Sequence, residues 1–126
     1  LIRMIMGRGT DEAGEVVLYP DVAKVVAEAV ASGEFERGIL VCGTGIGMCI
    51  TANKIPGIRA AVCHDPFSTE RSRKSNNAQI MCMGERVIGP ELAKYLVDIW
   101  LKCDFAGGGS TPKVNRINEI DAEYKK

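Results

Sequence analysis

Short apolar runs alternate with glycine-rich or polar turns and then with stretches of helical periodicity, and the alternation repeats several times along the chain. That rhythm belongs to a parallel α/β sheet, where a strand buried on both faces reads as a continuous apolar run and each crossover is a helix with one apolar face. Ile2 to Met6 predicts a first strand, and Asp21 to Ser32 a helix with Val22, Val25, Val26, Ala29 and Val30 on its buried face and Gly33 as its stop. Gly38 to Cys42, with the sequence GILVC, predicts a buried strand. Gly43, Thr44, Gly45, Ile46 and Gly47 then open a helix expected to run to Lys54, followed by a turn at Pro56 and Gly57.

Ile58 to Cys63 predicts a third strand, and Asp65 caps a helix whose first-turn Pro66 lacks a donor that position does not use. A fourth strand is expected over Ala78 to Met83. A helix from Pro90 to Lys102 should bury Leu92, Leu96, Ile99 and Trp100. Thr111 and Pro112 repeat the cap-then-proline start for a last helix, on which Val114, Ile117 and Ile120 form a narrow apolar stripe. A narrow stripe suits packing across a subunit boundary as well as within a chain. The predicted fold is a doubly wound, Rossmann-like parallel sheet with helices on both faces. It occupies residues 1–126 as a single domain, with the segment 104–126 packing on a partner subunit.

At 126 residues the chain has room for one core and one active site. Sixteen basic and sixteen acidic side chains cancel, so no overall field draws the protein to nucleic acid or to an anionic membrane, and any anionic ligand is held locally. Cys42, Cys49, Cys63, Cys82 and Cys103 are odd in number and form no CxxC pair, which reads as reduced thiols and a cytoplasmic location. No apolar run approaches the roughly 20 residues that span a bilayer. With one histidine and no paired cysteine spacing, no zinc site is expected, and no cofactor is called for. A nucleotide-binding or receiver-like module would need acidic residues clustered at strand ends for Mg²⁺, and none precede the glycine loop.

Chemistry is expected beyond the carboxyl ends of the strands, first in the turn after Val41. Its sequence, CGTGIG, does not have the GxGxxG spacing of a dinucleotide site. It offers backbone N–H groups at the positive end of a helix, suited to a phosphate or a developing oxyanion. Cys42 enters that helix, where the same partial charge favours a thiolate able to act as a general base. A small buried apolar cysteine is the other reading of the same residue, and it is the preferred one for the remaining four cysteines.

The string CGTGIG, followed in order by ANK, PGIRA and GERVIG within residues 38–101, resembles the ribose-5-phosphate isomerase B and galactose-6-phosphate isomerase family. The resemblance implies interconversion of an aldose phosphate and its ketose through a cis-enediol. Cys42 would be the base, Thr44 the hydroxyl moving protons at the sugar oxygens, and Gly43, Gly45 and Gly47 the enediolate pocket. It also implies a homodimer or dimer of dimers with shared sites, Asn76 binding substrate across the interface and Arg86 reaching the partner's site. Tyr19 would line the sugar pocket. A surface ion pair for Arg86 and core packing for Tyr19 are the plainer alternatives.

Three departures qualify the resemblance. Ser75 stands where the family usually carries a ring-opening histidine, and an ordinary serine hydroxyl cannot take a proton near neutral pH as imidazole does. A tetrose 4-phosphate needs no ring opening, because its O4 is esterified, so a four-carbon substrate is expected beside the ribose 5-phosphate type. Near the C-terminus, Gly109 and Lys113 occupy the places of two phosphate-binding arginines; Arg116 could compensate or simply sit on a solvated helix face. At the start, the chain is short of the family's opening strand, loop, helix and second strand. Ile2 to Gly7 is either the first or the second strand, an unseen preceding segment is expected, and on the first reading Asp11 would bind sugar hydroxyls. His64 could approach the pocket or act as a helix-start cap. The competing function is a non-catalytic or half-site subunit of a hetero-oligomeric galactose-6-phosphate isomerase.

Overall fold

A computed structural model describes residues 2–6 and 18–125. The elements are β1 (Ile2–Met6), α1 (Tyr19–Ala31), β2 (Arg37–Cys42), α2 (Ile46–Ala52), β3 (Ala60–Val62), α3 (Pro66–Lys74), β4 (Ile80–Gly84), α4 (Pro90–Lys102), a 3₁₀ turn (Gly108–Ser110) and α5 (Thr111–Tyr124). The strands pair in the order β1-β2-β4-β3, and every pairing is parallel. The doubly wound architecture read from the apolar rhythm is therefore present.

Side chains alternate along the two central strands. Leu40, Cys42, Ile80 and Cys82 face α1 and α2, packing with Ala23, Val26, Ala27, Val30, Met48 and Ala52. Ile39, Val41, Met81 and Met83 face the other way, onto Leu96 and Trp100 of α4. Both faces are thus dry, which is why these strands carry unbroken apolar runs rather than alternating ones.

Several local expectations shift. On α1, Val25 is 56 % exposed, and the buried stripe is Ala23, Val26, Ala27 and Val30. Its phase is set by close docking on β2, where a Cβ on Gly38 would come within 2.9 Å of Val26 Cγ1. Leu92 of α4 is likewise exposed while Leu96 and Trp100 are fully buried. The helix after the glycine loop starts only at Ile46, because Gly45 precedes it in the left-handed region, with φ of 81°. β3 is three residues long because Ile58 is still held in the preceding turn by its N–H bond to Ile55 O. The Asn53 side chain covers its open edge, accepting from Ala60 N and donating to Ala60 O at 2.8 and 3.0 Å. The Asp65 cap forms as the sequence indicates, accepting from Ser68 N at 2.7 Å, and this bond holds the carboxyl below its usual range.

The carboxyl end of α4 is closed by Arg37, which donates to Trp100 O and Leu101 O and to Asp104 Oδ1, at 2.9, 3.4 and 2.8 Å, while its guanidinium lies over the Trp100 ring. The expected packing of residues 104–126 on a partner is not visible in a single chain. The contacts α5 makes are with its own chain: Gly57 N donates to Asp121 Oδ2, Arg59 Nη1 to Asn118 Oδ1, and Lys125 Nζ to Asn53 O. Val114 is buried, but Ile117, Ile120 and Tyr124 remain exposed beside a cleft of about 730 Å³.

Candidate active site

The crossover directions locate the crevice. The helices that follow β1 and β2 lie on one face of the sheet, and the helix that follows β4 lies on the other. β2 and β4 are neighbours, with Cys42 opposite Gly84 in register. Their outgoing chains therefore part to opposite faces and leave an opening beyond their carboxyl ends, the place where ligands collect in such sheets. The CGTG loop follows one of these strands and the GERVIG turn follows the other.

The two turns are clamped together. Glu85 N donates to Cys42 O at 2.8 Å and Arg86 N to Gly43 O at 3.0 Å. Gly84 is required by this approach, since a Cβ there would lie 2.5 Å from Thr44 Cα. From the opposite side, His64 Nε2 accepts from Gly84 N at 2.8 Å. Accepting at Nε2 places the ring proton of the neutral imidazole on Nδ1 and commits the Nε2 lone pair to the backbone. His64 is thus at the carboxyl end of the sheet as a buttress for the turn and not a helix cap, the start of α3 being capped by Asp65.

At the centre, Gly45 N donates to Cys42 Sγ at 3.1 Å, and Thr44 Oγ1 accepts from Ile46 N at 3.2 Å. Gly45 fits against the Met83 backbone, where a Cβ would come within 2.9 Å. Cys42 is 8 % exposed, so its sulfur lies directly beneath the loop. The Tyr19 hydroxyl rests over Gly47, 2.2 Å from where a Cβ would sit, and the Arg86 side chain runs past Gly43, with Cδ and Nε at 3.7 and 3.8 Å from that glycine's Cβ position. Cys42, Gly43, Thr44, Gly45, Gly47, Tyr19 and Arg86 therefore form one constellation.

Other expected site residues lie elsewhere. α3 runs back from the carboxyl to the amino end of the sheet, so Ser75, its last-turn cap, and Asn76, just beyond, are at the opposite end from Cys42 in the same chain. Asn76 lines the cleft between β3, α3 and α5. Lys113 is exposed on the first turn of α5 and Gly109 is exposed just before it. Arg116 is paired with Glu119 and Glu123 at 3.1 and 3.3 Å, which makes it part of a solvated helix face. Asp11 lies outside the described residues. The sequence reading missed Gly84 and the His64 contact; the glycine that opens GERVIG was the available signal, since its partner loop is distant in sequence.

Comparison with known proteins identifies a family and several relatives. The family model described as Ribose/Galactose Isomerase matches residues 4–118. The chain is 57 % identical over 115 residues to the D-erythrulose-4-phosphate isomerase of Pectobacterium atrosepticum, covering 91 % of this chain and 76 % of that protein. It is 61 % identical over 111 residues to the ribose-5-P isomerase B of Listeria innocua, covering 88 % and 75 % respectively. Among solved structures, ribose-5-phosphate isomerase B of Clostridium thermocellum superposes with a TM-score of 0.84 at 53 % identity, over 87 % of this chain and 74 % of that one. The chain belongs to the ribose/galactose isomerase family.

Proposed function

We propose that this protein interconverts an aldose phosphate and its ketose phosphate through a cis-enediol, with Cys42 as the base. The observation that carries the reading is the Gly45 N–H directed at Cys42 Sγ at the carboxyl end of β2, beside the turn that follows β4. A backbone N–H aimed at the sulfur holds Sγ at the carboxyl end of β2, where an open-chain sugar would meet it. The thiolate takes the C2 proton of the open-chain aldose, the electrons move to the carbonyl oxygen, and the same proton returns to C1. Thr44 Oγ1 moves the second proton between O1 and O2, and backbone N–H groups of the loop meet the enediolate oxygen. Cys42→Ala should lower kcat by about a hundredfold to ten-thousandfold, the usual worth of a positioned base. Turnover unchanged by that substitution would exclude the mechanism.

A four-carbon substrate is favoured by Ser75 in the ring-opening position, and the 57 % identical relative is a D-erythrulose-4-phosphate isomerase. The second reading, ribose 5-phosphate, is favoured by the 61 % identical Listeria protein. A panel of four-, five- and six-carbon aldose phosphates separates the two: kcat/KM highest for erythrose 4-phosphate supports the first, and a large preference for ribose 5-phosphate overturns it.

Asn76 and Ser75 can serve this chemistry only in an assembly that brings the amino end of one sheet to the carboxyl end of another, so the active form is a homodimer or dimer of dimers with shared sites. Cys42, Thr44 and Asn76 in one chain argue against a half-site subunit of a hetero-oligomer. Turnover by the single purified chain tests that point. The work of the enzyme is in the cytoplasm, where its sugar phosphate substrates and reduced thiols belong.

A further inference from the structure

His64, the only histidine in the chain, is half-buried at the carboxyl end of β3, and its backbone is fixed on both sides. Before it, Cys63 N donates to Cys82 O at 2.9 Å, which extends the β3–β4 ladder by one bond. After it, the Asp65 carboxylate accepts from Ser68 N at 2.7 Å, and the Asp65 carbonyl accepts from Thr69 N and Thr69 Oγ1 at 3.1 and 2.6 Å, which starts α3. A parallel ladder continuing along β4 would give Gly84 N a backbone carbonyl of the neighbouring strand. The chain has instead turned away into α3, and the acceptor at Gly84 N is the ring Nε2 of His64, at 2.8 Å.

We propose that His64 is a positioning residue for the isomerisation: its Nε2 lone pair holds the Gly84 turn against the glycine loop and so sets where Cys42 Sγ and Thr44 Oγ1 stand. This rests on the isomerase reading above. Gly84 is the point at which the turn meets the loop, since a Cβ there would lie 2.5 Å from Thr44 Cα and 2.7 Å from Gly43 O. It is the register partner of Cys42, and the two residues that follow it donate to Cys42 O and Gly43 O. A shift of the Gly84 amide is therefore passed to the backbone of residues 42–44, which carries the base and the hydroxyl. A misplacement of about 1 Å at reacting groups costs up to about a hundredfold in rate.

Only one form of the ring can hold the turn. A neutral imidazole with its proton on Nδ1 offers a lone pair at Nε2, whereas the other tautomer and the imidazolium both turn an N–H toward the Gly84 N–H and leave two donors face to face. His64 thus acts through the turn, without a proton transfer of its own.

The test compares His64→Leu, His64→Asn and His64→Gln with erythrose 4-phosphate and ribose 5-phosphate as substrates, kcat being referred to the folded fraction read by urea denaturation. Leu fills the space without an acceptor, the Asn carbonyl falls short of Gly84 N, and the Gln carbonyl reaches close to the place of Nε2. The loop meets the sugar most strongly in the transition state, so kcat should fall about tenfold to a hundredfold in the Leu and Asn variants while KM stays within about threefold of the wild type. Gln should recover most of that loss. Wild-type kcat in His64→Leu, or a Gln variant as slow as the Leu variant, overturns the proposal. A second measurement needs no variant, because a single histidine makes the ring signals of the nitrogen-labelled wild-type enzyme unambiguous in long-range proton–nitrogen correlation spectra. The proton is expected on Nδ1, and a ring protonated on Nε2 excludes the lock. Those spectra do not depend on turnover, and the isomerase reading is judged by Cys42→Ala, so the two ideas fail separately.

Discussion

Gly45 shows how much of the site rests on single residues. Its φ of 81° and the 2.9 Å approach of a Cβ to the Met83 backbone mean that Gly45→Ala meets both strain and a clash. The substitution should cost about 1–3 kcal/mol of stability, read by urea denaturation, and should lower kcat because the amide at position 45 is the donor to Cys42 Sγ. The glycine spacing of the loop was legible in the sequence, and so was the candidate base. What could not be read there was Gly84, whose lack of a side chain matters only because Thr44, forty residues earlier, arrives against it. His64 teaches the same lesson: its position after β3 suggested a cap or a pocket residue, and its actual partner is a backbone N–H on the adjacent strand.

Elements are held by contacts whose value depends on burial. Arg37 and Asp104 form one ion pair with very different halves, 6 % and 88 % exposed. Arg37→Ala should cost about 2–4 kcal/mol, since it strands carbonyls at the end of α4 and removes packing from Trp100. Asp104→Ala should cost less than about 1 kcal/mol, as exposed charges do. Thermal or urea denaturation of the two variants checks the asymmetry. The docking of α5 should be sensitive to acid. Lys125 and the Gly57 N–H lower the Asp121 carboxyl in the folded state relative to an unfolded value of about 3.9. Its contribution is fully present above that unfolded value and is lost as pH falls through the lowered folded one. Amide exchange in α5 should therefore accelerate in that acid window for the wild type, and Asp121→Asn should abolish the dependence. Caps and helix starts such as Asp65-Pro66 were legible because they are local. The faces of α1 and α4 were not, because helix phase is set by what the helix docks on, and Val25 and Leu92 ended outside as a result.

For the whole molecule, the decisive separation is between Cys42 at the carboxyl end of the sheet and Asn76 near its amino end. If the active form shares its sites, mixing inactive Cys42→Ala and Asn76→Ala proteins, followed by subunit exchange, should rebuild one intact site in each hybrid dimer. With random assortment the mixture should recover up to about a quarter of wild-type turnover, and no recovery would mean that each chain works alone. The measurement is the rate of sugar phosphate isomerisation before and after exchange.

Periodicity and glycine spacing along the chain were enough to indicate which segments are strands, which are helices, and which turn carries the candidate base, because those features act over a few neighbouring residues. The strand order β1-β2-β4-β3, the meeting of the CGTG and GERVIG turns, and the removal of Ser75 and Asn76 to the far end came only with folding. Pairing of parallel strands is decided by competition among apolar faces far apart in sequence, and no local pattern records its outcome.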